Sequence, residues 1–262
     1  MAEARLAGRV AVVTGAGRGI GREIALRCAA EGASVALAAR STQALDAVAA
    51  EIGGAGGRAL VVPTDLRAPA EVEYLAATVE RELGPADLLV NSGGVTGPTR
   101  VLWEIEPAEW EETLQVNLTG VYLCCRAFMS AMVERRGGSV LVIGSATGKR
   151  PLYGRTPYAA SKLGLVGLVR TLAWEAGPHG VRVNLISPGA TDGERLRNVI
   201  RSQAEAKGIS LDAARDELTE ASPLHRFVDP EHVAEAAVFL ASDAAASITG
   251  EDFNVSAGMT MY

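Results

Sequence analysis

The sequence predicts an α/β fold built on a parallel sheet, and three observations carry the prediction. Apolar runs of strand length alternate with longer amphipathic segments. The runs are continuously hydrophobic, without an in/out alternation. A glycine-rich turn, TGAGRGIG at residues 14–21, joins the first run to the first amphipathic segment. Short and long elements in alternation are the pattern of βαβ units, and strands apolar on both sides belong to a sheet covered on both faces.

The apolar runs place seven strands at 10–14, 34–39, 59–63, 88–91, 139–145, 181–187 and 252–255. Helices fill the gaps at about 20–31, 43–52, 69–83, 107–135, 157–176 and 230–241. Thr156 and Pro157 suit the cap and first turn of the fifth of these. Gly32 is expected to end the first helix, and Gly137-Gly138 the long fourth one. The glycine cluster at 53–57 is too short for a linker, and no repeat or boundary divides the chain, so residues 1–262 are expected to form one domain. The stretch 188–224 departs from the alternation, with two short charged helices at 194–207 and 211–220. It follows the carboxyl end of a strand, where open α/β sheets bind ligands, and is expected to act as a substrate lid.

Composition excludes several classes. At 262 residues, 48% apolar and 21% charged, the chain can bury a large core. A formal net charge of −6, without runs of Lys or Arg, leaves no electrostatic footprint for nucleic acid. Cys28, Cys124 and Cys125 are unevenly spaced within predicted helices, and read as buried thiols rather than disulfides. His179, His225 and His232 lack ligand spacing, so no metal is expected. Glu3 and Arg5 stand where a signal sequence would be apolar, and no apolar stretch is expected to approach the roughly 18 residues of a membrane span. The expected location is cytoplasmic.

Tyr158 and Lys162 carry the chemistry. Residues four apart share a helix face, so the phenol and the ammonium should project into one pocket. A cation beside a phenol favours the phenolate and lowers a pKa of about 10 in water, which suits Tyr158 to proton transfer. Ser145, at the end of an apolar run, could hold a substrate oxygen beside it. The glycine turn follows a strand and opens a helix, the setting in which backbone N–H groups cradle a pyrophosphate. Ser145 could instead cap a turn, and Lys162 could be a solvated charge.

The glycine spacing is T-G-x-x-x-G-x-G. With Asp65, Asn91-Ser92-Gly93-Gly94, Asn117, Ser145, YAASK at 158–162 and Pro188-Gly189 it resembles the short-chain dehydrogenase/reductase family over essentially the whole chain. The resemblance implies a doubly wound, Rossmann-like sheet and hydride transfer between a nicotinamide and a carbonyl or secondary alcohol. It makes Tyr158 the acid/base, Ser145 the group that orients the substrate oxygen, and Lys162 a holder of the nicotinamide ribose. Asn117 would position a water linked to Lys162. The cofactor residues it implies are Gly15, Gly17, Arg18, Gly19, Ile20, Gly21, Asp65, Leu66, Asn91 and Gly93, with Tyr158, Lys162, Pro188, Gly189 and Thr191 at the nicotinamide end. Ser92-Gly93 departs from the family's usual Asn-Ala and bears on the rigidity of that turn.

The second predicted strand ends in Ala39-Arg40, with no carboxylate for the adenosine ribose. Arg40, with Arg18, could flank a 2′-phosphate, so NADP(H) is the expected cofactor, with NAD(H) as the alternative. Three functions remain open: an oxidoreductase of a small ketone, polyol or hydroxy acid; a 3-oxoacyl-[acyl-carrier-protein] reductase; and a non-catalytic nucleotide-binding scaffold. For the second, Arg136 matches one of two carrier-docking arginines and His179 stands at the other. Lys149, Arg150, Arg155, Arg195, Arg197 and Arg201 could serve an anionic substrate or form a solvated rim. Kinship also implies a homo-oligomer, a tetramer or dimer, built on the helices carrying Asn117 and Tyr158, with 259–262 at such a contact or near a neighbouring pocket.

Overall fold

A computed structural model describes residues 4–262; Glu3 lies outside them. The strands are β1 (Val10–Thr14), β2 (Ser34–Ala39), β3 (Arg58–Pro63), β4 (Leu88–Asn91), β5 (Gly138–Ile143), β6 (Val181–Pro188) and β7 (Asp252–Val255). They form one sheet in the order β3-β2-β1-β4-β5-β6-β7, with all neighbours parallel. This is the doubly wound, Rossmann-like arrangement. The winding reverses between β1 and β4, and there the sheet opens a crevice at its carboxyl edge.

Alternate strand residues feed two cores. Val10 and Val12, with Val140 and Val142, pack beneath α3 (Pro69–Leu83), α5 (Gly120–Arg135) and α7 (Thr156–Ala176). Ala11 and Val13, with Leu141 and Ile143, pack beneath α1 (Gly19–Ala30), α2 (Thr42–Gly54) and α10 (Pro230–Ala241). Burial on both faces is why these strands read as unbroken apolar runs.

Several boundaries differ from expectation. β5 stops at Ile143, because Ser145 turns out of the sheet to cap the short α6 (Ala146–Lys149). α7 begins at Thr156, so its cap is Arg155 and not Thr156, with Pro157 in the first turn. The long helix ends on Arg136 in the left-handed region (φ 55°), one residue before the expected glycines; its guanidinium donates to the Pro178 carbonyl at 2.9 Å. Within that helix, α4 (Pro107–Leu114) and α5 are joined by a π-helical turn, Gln115–Thr119, so Pro107–Arg135 runs for 29 residues.

Contrary to the reading that no segment approaches membrane-span length, this helix is long and apolar enough to cross one by length and composition. Its apolar face serves the core: Val121, Cys124, Cys125, Phe128 and Met132 pack against the sheet, while Arg126 turns outward to Glu73. The cysteines are free and buried, and burial raises the Cys28 and Cys125 thiols to about 12.

After β6 come α8 (Glu194–Lys207) and α9 (Leu211–Glu220), at the expected bounds. Gln203 of α8 is buried and donates to the Tyr153 carbonyl at 2.8 Å, which ties this excursion to the loop preceding α7.

Candidate active site

The carboxyl ends of six strands meet at the crevice and carry nearly all the residues singled out by sequence. The turn from β1 into α1 holds Gly15, Gly17, Arg18, Gly19, Ile20 and Gly21. Gly15 sits at φ 67°, and a Cβ there would lie 2.8 Å from Gly93 Cα, so only glycine allows the two turns to approach this closely. Arg18 is the N-cap of α1 and offers no side-chain cap. The first N–H groups of α1 thus face the crevice without a side-chain acceptor, the chemistry of an anion cradle.

The opposite wall is Asn91-Ser92-Gly93-Gly94 after β4. The Thr14 hydroxyl accepts from the N–H groups of Ser92 and Gly93, both at 3.1 Å, and pins this turn to β1. Gly93 answers a need of packing: a Cβ there would meet Leu66 Cδ1 at 2.5 Å. Leu66, buried after β3, fills the space an alanine would claim. The Asn91 side chain is buried and donates to Cys125 Sγ at 3.7 Å.

Asn117 lies in the π-helical turn and is fully buried. Its Oδ1 accepts from Val95 N at 2.8 Å, and its Nδ2 donates to Val95 O at 3.0 Å and Ser161 Oγ at 3.1 Å. One amide therefore fastens the β4 turn to α7. Ser161 in turn donates to the Tyr158 carbonyl at 2.8 Å. The roles of Thr14 and Ser161 were not read from sequence, although both sit inside motifs already singled out.

Ser145, Tyr158 and Lys162 come together above β5 and β6. Ser145 Oγ accepts from Thr147 N at 3.1 Å, leaving its proton to donate. Lys162 is buried, donates from Nζ to the Ile143 carbonyl at 2.8 Å, and lies 5.8 Å from the Tyr158 ring centroid. Burial opposes ionisation of Tyr158. The charge of Lys162 outweighs it, with help from Arg195, the Ser145 hydroxyl and Arg155, so the phenol pKa falls below its ordinary value. Burial likewise lowers the Lys162 ammonium, against the pull of the phenol.

The remaining residues divide by place. Arg40, just past β2, is exposed and makes no ion pair among the described residues. Arg18 faces Glu194 of α8 at 3.6 Å, both exposed. Asp65 pairs with Arg67 at 2.7 Å, and hydrogen bonds from Arg67 hold its carboxyl low. Gly189 donates to Val255 O at 3.0 Å, and a Cβ there would lie 2.8 Å from the Ser256 carbonyl; Thr191 donates to Gly189 O at 3.1 Å. Pro188 closes β6 beside them.

Of the candidate substrate cations, Lys149 is committed elsewhere, in a buried ion pair with Asp252 at 2.8 Å and a hydrogen bond to Asn254 at 2.6 Å. Arg155 and Arg195 face the tyrosine.

A glycine cradle on one side of the crevice and a cation-lowered phenol on the other define a nucleotide-dependent oxidoreductase of the carbonyl/alcohol class. Residues 15–260 match the family model described as enoyl-(acyl carrier protein) reductase. The chain is 38% identical over 259 residues to the 3-oxoacyl-[acyl-carrier-protein] reductase of Synechocystis sp., covering 98% of this chain and 99% of that one. It is 39% identical over 260 residues to the D-threitol dehydrogenase of Mycolicibacterium smegmatis, covering 98% and 95%. The solved structure of a point variant of actinorhodin polyketide ketoreductase with NADPH superposes with a TM-score of 0.93 at 35% identity, over 97% of this chain and 98% of that one. The protein belongs to the short-chain dehydrogenase/reductase family and is one of its oxidoreductases acting between C=O and CH–OH.

Proposed function

We propose that this protein is an NADP(H)-dependent ketoreductase that interconverts a small ketone and its secondary alcohol at Ser145, Tyr158 and Lys162. The single observation behind this reading is the buried Lys162 ammonium, fixed by the Ile143 carbonyl beside a phenol that already inclines toward ionisation. When bound, the nicotinamide supplies or accepts the hydride.

The residues divide the rest of the work. Ser145 donates to the substrate oxygen. Tyr158 gives that oxygen a proton in reduction and removes it in oxidation. Lys162 favours the phenolate and holds the nicotinamide ribose. Asn117 keeps the β4 turn registered on α7 and leads a water toward Lys162. Gly15, Gly17, Gly19, Ile20 and Gly21 cradle the pyrophosphate, and the close fit of Gly15 on Gly93 supports this. Asp65, Leu66, Asn91 and Gly93 form the adenine side; Pro188, Gly189 and Thr191 form the nicotinamide side. Arg40 and Arg18 take the 2′-phosphate; the absence of a carboxylate at the tip of β2, and the NADPH in the ketoreductase neighbour, support that assignment.

Within this reading residues 1–262 act as one domain, with 188–224 as the lid, in the cytoplasm. The assembly is a homotetramer or dimer, supported by exposed Tyr122 on α5 and Leu163 and Trp174 on α7.

A 3-oxoacyl-[acyl-carrier-protein] reductase is the second reading, favoured by the 38% identical relative of that name. Against it, the Arg136 guanidinium is bound to the Pro178 carbonyl, and the second docking position is His179. NADPH consumption over a panel of ketones, with a 3-oxoacyl thioester included, tests both readings. Turnover of small ketones with NADPH above NADH is expected. Failure to oxidise or reduce any member with either cofactor would leave the scaffold reading in its place.

A further inference from the structure

Arg155 is a buried cation without a counter-charge. The residue is 4% exposed, yet no Asp or Glu pairs with it among the described residues. Its Nη1 donates to Thr99 Oγ1 at 3.2 Å, its buried Nε–H has no acceptor among the described residues, and its guanidinium carbon lies 4.8 Å from the Tyr158 ring centroid. It cannot have been placed there as a solvated rim residue, and an unpaired buried charge is costly unless something answers it.

A second cation converges on the same place from the lid. Arg195, in the first turn of α8, donates to the Gly94 carbonyl at 2.5 Å and also lacks a carboxylate partner among the described residues. Its charge is felt by Arg155, Tyr158 and Lys162 alike. The acidic residues beside it are occupied: Glu194 faces Arg18, and Asp192 accepts from Gly193 N. Three cations therefore surround one phenol with no fixed anion among them.

Among the described residues Arg155 makes no hydrogen bond or ion pair with the glycine turn that would hold the pyrophosphate; its contacts are Thr99 and the Tyr158 ring, on the catalytic side of the crevice. A carrier-bound 3-oxoacyl thioester is neutral next to its ketone, and the phosphate of its arm lies many bonds away. A planar guanidinium with a free N–H matches a carboxylate.

We propose that the substrate carries a carboxylate within a few bonds of its reacting carbon, an oxo acid or hydroxy acid, bound by Arg155 from the floor and Arg195 from the lid. This rests on the ketoreductase reading above and narrows its substrate class. Arg155 and Arg195 then act as specificity residues, while the proton still moves at Tyr158.

The test compares matched pairs on the whole protein with NADPH: 3-oxobutanoate and its methyl ester, 4-oxopentanoate and its methyl ester, and the N-acetylcysteamine thioester of 3-oxobutanoate. The acid of at least one pair is expected to lead in kcat/KM by about tenfold or more, chiefly through KM, the scale of one charge-assisted hydrogen bond. Arg155→Gln and Arg195→Gln should each collapse that ratio, and Arg155→Lys should restore part of it. A readout independent of turnover accompanies this: butanoate, and not butanamide, should raise the Tm of the NADP-loaded protein, and Arg155→Gln should abolish the rise. Esters or thioester preferred over acids would overturn the proposal while leaving the ketoreductase reading intact. Butanoate stabilisation that depends on Arg155, without any turnover, would uphold the anion site and sink the ketoreductase reading. Neither preference nor stabilisation would end the proposal.

Discussion

Lys162 Nζ donates to the carbonyl of Ile143 at 2.8 Å, so the last residue of β5 fixes the cation that lies one helical turn beyond Tyr158. The strand does more than carry Ser145 to the crevice. It holds the lysine stem down and sets the distance between ammonium and phenol. A solvated lysine at this position would be free to swing away.

Lys162 should therefore control the pH profile. Alcohol oxidation requires the phenolate, so its rate should rise with pH through an ionisation below the usual phenol value of about 10. Lys162→Met removes the largest charge acting on the phenol and should move that inflection upward. An unmoved inflection in kcat/KM would assign the ionisation to another group.

Arg40 should choose the cofactor. Arg40→Asp places a carboxylate where the 2′-phosphate would sit and offers one to ribose hydroxyls. We expect NADPH to weaken by about tenfold or more, the scale of lost charge-assisted hydrogen bonds, and NADH to become preferred. Equal loss for both cofactors, measured as KM with each, would make Arg40 structural only.

The pair Gly93 and Leu66 should behave as one packing unit. Gly93→Ala drives a Cβ to 2.5 Å from Leu66 Cδ1 and should cost about 1–3 kcal/mol by overpacking. Leu66→Ala alone should cost about 2–5 kcal/mol by leaving a cavity. Together they should cost less than their sum, because the new methyl occupies part of the vacated space. Additive losses in denaturant unfolding would show that the two side chains do not compete.

Much of the site could be read in the sequence because its parts are local. The glycine turn, YAASK and the strand-to-helix alternation each express a spacing that the backbone turns directly into geometry. Arg155 and Lys149 looked equivalent in sequence, both lying between Ser145 and Tyr158. Only tertiary contacts separate them, since Asp252, more than a hundred residues away, takes Lys149 and no acidic side chain among the described residues takes Arg155. The π-helical turn at Asn117 was invisible for a related reason: it answers to contacts with Val95 and Ser161, not to local propensity. The missed end of β5 follows from Ser145 itself, whose capping of α6 breaks the strand that its apolar neighbours would have continued.

Acid stability should depend on Glu31. Hydrogen bonds from Arg5 hold its carboxyl at about 2, below the ordinary 4.5, while Arg27 adds a second charge. A carboxylate whose pKa is lower when folded stabilises the protein above pH 4.5, and that contribution is lost as pH falls from 4.5 toward 2. Glu31→Gln should lower Tm at neutral pH, and the gap from the parent should close across that window. A gap that stays constant with pH would assign the loss to packing.

The most direct test of the account is Tyr158→Phe, which removes one oxygen and leaves the ring beneath Arg155. Turnover of the best ketone should fall by about 10²–10⁴-fold, the usual contribution of a positioned acid/base, while NADPH binding measured by cofactor fluorescence stays within about twofold, because the glycine cradle is untouched. Turnover preserved in that variant, with cofactor still bound, would contradict the assignment of proton transfer to Tyr158.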